Sequence, residues 1–243
     1  MIILAIAVTS MLSLGIPAYA HKPLEAENNN KLENSLQIPN PRVSWVIYKQ
    51  IQAGDANYYR FNTSTGDRFN AEMDIPKIDR LLDFSPSIIV GKDLDKNLVK
   101  GQDIFVREIK VPASLPEQDS DALALDYTGT IPGREFYEEF SQTTFWQRQK
   151  FVIDSMPTNS TYYLMVASKQ DGKYALAIGE IEEFGLSEFI TVLPRAWFQI
   201  KFFFEDYITP SIVIAILIVV PAITAIIFAK RKKYTIRSKA KPS

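Results

Sequence analysis

The chain has 243 residues, a formal net charge of -1, 47% apolar and 23% charged residues, which excludes a disordered or collagen-like polypeptide and fits one domain with additions, or two small ones. It has no Cys and a single His, His21. Disulfides, thiolate nucleophiles, Cys-bound metals and any site built on two imidazoles are therefore excluded.

Residues 1–20 carry no charge. An apolar run from Ile2 to Leu14 is followed by Gly15, Ile16, Pro17 and the small-x-small triplet Ala18-Tyr19-Ala20. That is the form of a signal peptide cleaved after Ala20. No Lys or Arg precedes the run, so an uncleaved anchor is the alternative. Residues 21–42 are rich in Asn, Glu and Pro and read as a flexible linker.

From 43 to 183 the pattern has period two. Phe69, Ala71, Met73 and Ile75 alternate with Arg68, Asn70, Glu72 and Asp74, the pattern of a strand with one wet face. Tyr59, Phe61 and Thr63 alternate in the same way just before, and Ser64-Thr65-Gly66-Asp67 is turn chemistry. The pair reads as a β-hairpin. Further strands are expected at Trp45–Ile51, Ser87–Val90, Ile104–Val111, Phe151–Ile153, Tyr162–Ala167 and Tyr174–Ile178, while Arg134–Lys150 suits either a strand or a short helix. The expected fold class is all-β, an antiparallel β-sandwich of jelly-roll or Ig-like type.

Residues 184–207 place Leu193, Trp197, Ile200 and Phe204 at helical spacing beside Phe198, Phe202 and Phe203. This amphipathic juxtamembrane segment puts Trp197, Phe202, Phe203 and Tyr207 at the membrane interface, or else closes the bottom of the sandwich. Residues 208–229 have no charge and, at about 1.5 Å per residue, cover the roughly 30 Å hydrocarbon core as a transmembrane helix. Pro221, in its interior, predicts a kink. The tail 230–243 has seven basic residues and no acid, which places the C-terminus in the cytoplasm. The part before the span stands at -8 and the tail at +7. The near-neutral total thus hides an acidic outside and a basic inside, and the acidic part argues against a nucleic-acid partner.

Few constellations carry chemistry. His21 becomes the N-terminus on cleavage after Ala20, but a copper site of that kind needs a second His. Asp93-x-Asp95-x-Asn97 opens like a calcium loop, yet Leu98 stands at the obligatory Gly and Ile104 at the closing Glu, so it is no EF-hand. Asp55, Asn57 and Asp67 are a better calcium candidate if the two turns converge. Glu138-Glu139 and Glu182-Glu183 are adjacent pairs that point to opposite faces of a strand and cannot flank one bond. Ser-His-Asp and Cys-His mechanisms lack a base, and there is no glycine-rich phosphate loop. The expectation is a non-enzyme without cofactor. Asn62-Thr63-Ser64 and Asn159-Ser160-Thr161 are glycosylation sequons.

Gly54-Asp55-Ala56-Asn57-Tyr58-Tyr59-Arg60-Phe61, followed by Thr65-Gly66-Asp67-Arg68-Phe69, resembles the opening of bacterial and archaeal pre-peptidase C-terminal (PPC-type) domains. Asn57 stands where that family has a second Asp, and Thr65 where it has Ala. Tyr162–Val166 and Gly172–Leu176 look like the family's last two strands. The resemblance implies an extracellular β-sandwich, an accessory module of secreted enzymes or surface proteins, sometimes binding calcium or a polymer. Together these readings lead to a single-pass type I surface protein in the cell membrane, with a non-catalytic binding or adhesion module outside. Its partner would be an extracellular polymer or another surface protein. An accessory subunit of a membrane-bound enzyme or transporter is the alternative, and a sensor a third.

Overall fold

The computed structural model describes residues 21–92, 123–125, 127 and 129–239. The expected signal segment 1–20, the Asp93–Asn97 loop and the Ile104–Val111 strand lie outside the described residues. The chain divides into two units, residues 1–197 and 198–243.

The first unit is mostly β, in two sheets. A six-stranded sheet has the order β1 (Lys22–Pro23), β3 (Trp45–Ile51), β11 (Gly172–Ile178), β5 (Phe69–Pro76), β9 (Thr143–Ile153), β8 (Arg134–Glu138). A five-stranded sheet has the order β2 (Leu36–Gln37), β4 (Ala56–Thr63), β10 (Ser160–Ala167), β6 (Ser87–Gly91), β7 (Leu123–Leu125). Ile47, Phe69, Met73, Tyr174 and Leu176 from the first sheet share one buried cluster with Tyr59, Phe61, Ile88 and Leu164 from the second. The alternating apolar residues of each strand supply these inward faces.

Several expectations need correction. Residues 21–42 are not a free linker. They add β1 parallel to β3 and β2 parallel to β4, so the pairing is not purely antiparallel. Ile38 is fully buried in the common core, and Leu24 and Leu36 pack against it. The Asn residues that suggested a linker here bond backbone instead. Tyr58 donates its N–H to the Asn29 carbonyl at 2.7 Å, and the Asn29 amide donates to the Tyr58 carbonyl at 3.0 Å.

The expected hairpin is also absent as such. β4 pairs with β10 and β5 with β11 and β9, so the turn between β4 and β5 crosses from one sheet to the other. Phe61 and Phe69 stack across that crossing at 4.2 Å between ring centroids. An in-plane reversal and a crossing between sheets both need a reverse turn between two alternating strands, and the local pattern is the same for both. The polar face of β5 is not wet either, since Asn70 and Asp74 are each 8% exposed.

Arg134–Lys150 forms β8 and most of β9 as a hairpin. Glu138 holds its turn, accepting the backbone N–H groups of Phe140 at 3.0 Å and Ser141 at 2.7 Å. β9 carries an irregularity opposite Met73/Asp74, with Arg148 at its centre. Arg148 is buried, donates to the carbonyls of Leu82 (2.7 Å) and Phe84 (3.1 Å), and lies over the Trp146 ring.

After β11 the chain enters α1 (Leu186–Phe203), which contains Pro194. Glu188, in its first turn, accepts the Gly185 N–H at 2.7 Å and pairs with Lys22 at 2.8 Å. α1 ends in the second unit in a Schellman arrangement. Asp206 donates its N–H to the Lys201 carbonyl, Glu205 donates to Phe202, and Glu205 takes a φ of 63°. The Asp206 carboxylate then accepts the Thr209 N–H at 3.0 Å at the start of α2 (Ile208–Lys239). Within α2, Ile208–Arg231 is long and apolar enough to cross a membrane, about 36 Å at 1.5 Å per residue. The helix continues through Pro221 and into the basic tail as far as Lys239, further than the apolar composition alone indicates.

Candidate functional site: a polar cleft at one end of the sheets

Two connections run between the sheets side by side, β3 to β4 and β10 to β11. Gly54 donates its N–H to the Ser168 carbonyl at 2.8 Å, and Asp171 accepts the Ala53 N–H at 2.8 Å, which ties the two turns together. Between them opens a cleft of ≈ 400 Å³ whose lining includes Gln50, Gln52, Asp55, Asn57, Arg80 and Asp171. Gly54 holds a φ of 85° with open space around it, so its role is the turn conformation.

The inner wall is a buried hydroxyl chain. The Asn57 amide donates to the Tyr174 hydroxyl at 2.9 Å, and the Tyr174 and Tyr59 hydroxyls lie 2.7 Å apart. Burial pushes Tyr59 up to about 12, against its hydrogen bonds with Tyr174 and Asn29. Burial, with Tyr59 beside it, raises Tyr174 as well. Both phenols are therefore neutral, and they fix Asn57 rather than act as bases. The outer part of the cleft offers two carboxylates, two primary amides and a guanidinium, a set suited to holding a polar ligand by hydrogen bonds.

The calcium candidate is not assembled. Asp55 and Asn57 flank the start of β4, and Asp67 lies beyond its end. Asn57 to Thr63 alone spans about 20 Å at 3.3 Å per residue. Asp67 instead accepts the Ser64 N–H at 2.8 Å within its own turn, and Asn57 faces the core. Among the described residues no group of three or more His, Cys, Asp or Glu side chains is placed to hold a metal. The sequons share one corner: Thr161 donates to the Asn62 side chain at 2.8 Å, and Asn159 accepts the Thr65 N–H at 2.6 Å.

In the second unit Phe202 is 46% and Tyr207 60% exposed, their rings 6.0 Å apart, with Phe198 6.4 Å from Phe202. Phe203 and Trp197 are half-buried.

Sequence reasoning did not find the convergence of Gln50, Gln52, Arg80 and Asp171, which depends on which strands become neighbours. The paired Asp/Gly turns Gly54-Asp55 and Asp171-Gly172 were the available signal. A second polar cluster, on the outer face of the six-stranded sheet, was also missed. There Glu72 accepts from Gln147 and pairs with Lys150 at 3.1 Å, and the neighbouring Asp74 leaves Oδ1 without a partner.

No family model and no curated protein matches this sequence. Among solved structures, PliG of Salmonella Typhimurium, a periplasmic inhibitor of g-type lysozyme, is similar at 10% identity over 66% of this chain and 98% of its own, with a TM-score of 0.28. A mutant of the Escherichia coli counterpart stands at 13% identity and 0.28, with the same coverage. A family GH115 4-O-methyl-α-glucuronidase with specificity for decorated arabinogalactans stands at 13% identity and 0.29, and the match covers 14% of that enzyme.

Proposed function

We propose that this is a single-pass, membrane-anchored β-sandwich protein whose ectodomain binds a polar extracellular ligand, a polymer or a surface protein, through the end cleft. Ile208–Arg231 is the anchor and the basic segment after it lies in the cytoplasm. The observation that carries the reading is the cleft: polar and charged side chains gathered at an open end, on a chain that also has an exposed apolar helix. Among the described residues no group donates to the Asp55 carboxylate, so it is available to a ligand. A polysaccharide and protein array probed with the detergent-solubilised full chain tests this. Asp55→Ala together with Gln52→Ala should remove most of the captured signal while the folded spectrum is retained. Capture unchanged by those substitutions would move the binding function away from the cleft.

A second reading, an accessory subunit held to another membrane protein, is favoured by the exposed Phe202 and Tyr207 rings, with the half-buried Phe198 beside them. Its signature would be specific co-purification of one membrane protein, abolished by Phe202→Ala with Tyr207→Ala.

A further inference from the structure

We propose that residues 230–233 form a cationic collar for anionic phospholipid, taking the headgroup phosphates of the leaflet from which α2 emerges. The inference rests on the reading of α2 as the membrane anchor. The uncharged stretch 208–229 covers about 33 Å at about 1.5 Å per residue, close to the roughly 30 Å hydrocarbon core. Little slack is left over, so Lys230 falls at the core boundary. Lys230, Arg231, Lys232 and Lys233 follow without a gap. They cover about 6 Å more, which matches a headgroup layer roughly 5–7 Å deep on each side. Lys230 and Arg231 are exposed.

The helix decides how these charges are presented. α2 runs from Ile208 to Lys239. Successive positions are about 100° apart around a helix, so four in a row ring its axis. Whichever way the helix tilts, basic positions meet the headgroups on every side. Lys230 and Lys233 are like charges three positions apart, which weakens a helix unless counter-charge is supplied. The sequence supplies none, since no acid stands anywhere in 230–243. Depth and charge together select the occupant. A soluble polyanion or an acidic protein reaches the chain only beyond the headgroups, whereas lipid phosphates lie at the depth of the collar. Arresting transfer and setting orientation need only basic charge after a span, in any backbone conformation. The continued helix adds a register. Arg237 and Lys239 are held about 11 and 14 Å along the axis from Lys230, beyond the headgroup layer. They act on it only through a field that salt screens within about 8 Å.

Spin-labelled lipids read the collar directly. The full chain is reconstituted in phosphatidylcholine vesicles carrying a trace of spin-labelled phosphatidylglycerol or of spin-labelled phosphatidylcholine. The motionally restricted fraction of each label gives the relative affinity of the two lipids for the protein. At low salt the phosphatidylglycerol should be preferred about fivefold, the equivalent of about 1 kcal/mol for a headgroup beside one basic residue. The preference should fall to near one in about 1 M salt, where screening acts within about 3 Å. Lys230→Gln, Arg231→Gln, Lys232→Gln and Lys233→Gln together should abolish it, and Arg237→Gln with Lys239→Gln should leave most of it. Both leaflets carry the label, so the readout is the same for either orientation of the anchor. Should the fourfold variant fail to insert, the salt series on the unmodified chain and the distal variant still decide. Equal restriction of the two lipids by the unmodified chain, a preference that survives high salt, or loss of the preference in the distal variant would overturn the proposal. No restricted fraction with either lipid would remove the anchor reading, and the collar with it.

Discussion

Asp74 shows how far a polar position in an alternating strand can depart from its expected surroundings. Burial pushes its carboxyl well above the usual range, Glu72 adds to that, and Lys150 opposes it. The folded state therefore holds the Asp74 proton more tightly than the unfolded state, whose value is about 3.9. The contribution of this group to stability is complete below that value and is lost as pH rises through the folded one. Asp74→Asn should accordingly be near neutral at pH 3.5 and stabilising by about 1–3 kcal/mol at pH 8, the cost of an unsatisfied buried group. Thermal melts of the two proteins across that range check it, and a gain independent of pH would contradict it. Gln142 makes a second case. It sits at φ 53° in the turn that Glu138 holds. A side chain pays about 1–2 kcal/mol in that region, against the extra chain entropy of Gly, so Gln142→Gly should raise stability by about 0.5–1 kcal/mol.

At the scale of elements, the segment 21–42 separates the two readings most sharply. In a flexible linker, Ile38→Ala would change nothing. In the fold seen here it empties a fully buried site, and the expected loss is about 2–5 kcal/mol, or roughly 4–20 °C in melting temperature. Gly179 offers a comparable contrast with Gly54. Both have positive φ, but a Cβ on Gly179 would collide with the Val43 carbonyl oxygen, whereas one on Gly54 meets nothing within 4 Å. Gly54→Ala should cost about 1 kcal/mol and Gly179→Ala several times that, read by denaturant melts.

These elements also mark how much of the molecule could be read from its sequence. Strands such as β3, β10 and β11 were legible because their alternation is local. The β1 and β2 edges were not, since two-residue strands among Asn and Glu leave no period to detect. The partners of β4 and β5 were hidden because pairing depends on residues a hundred positions away. For the same reason the cleft was seen only through Asp55 and Asn57, and the three calcium candidates do not converge because Asp67 belongs to the opposite end of the strand.

At the scale of the whole molecule, the acidic segment, the apolar helix and the basic tail make a topology that is tested by cutting. Protease added outside intact cells should remove the chain up to about Tyr207 and leave a small membrane-held fragment. A protected 43–183 region would contradict the external placement. Calcium at millimolar concentration should leave the melting temperature unchanged, since the three candidate oxygens do not converge, and a shift abolished by Asp55→Ala would reopen that site.

The sheet order has a consequence for biosynthesis. β10 lies between β4 and β6, and β11 lies between β3 and β5, so the two strands that complete the middle of each sheet are the last two made. While residues up to about 159 leave the ribosome or cross a membrane, neither sheet has a continuous centre. The early strands have only fragments such as β5 with β9 and β8 to join. Pairings of that sequence separation are slow to close, which places such topologies in the millisecond-to-second range. Folding therefore waits for Ser160–Ile178, thirty residues ahead of the apolar helix. A nascent chain stalled before Ser160 should remain protease-sensitive throughout, and one stalled just after Ile178 should become resistant in a single step.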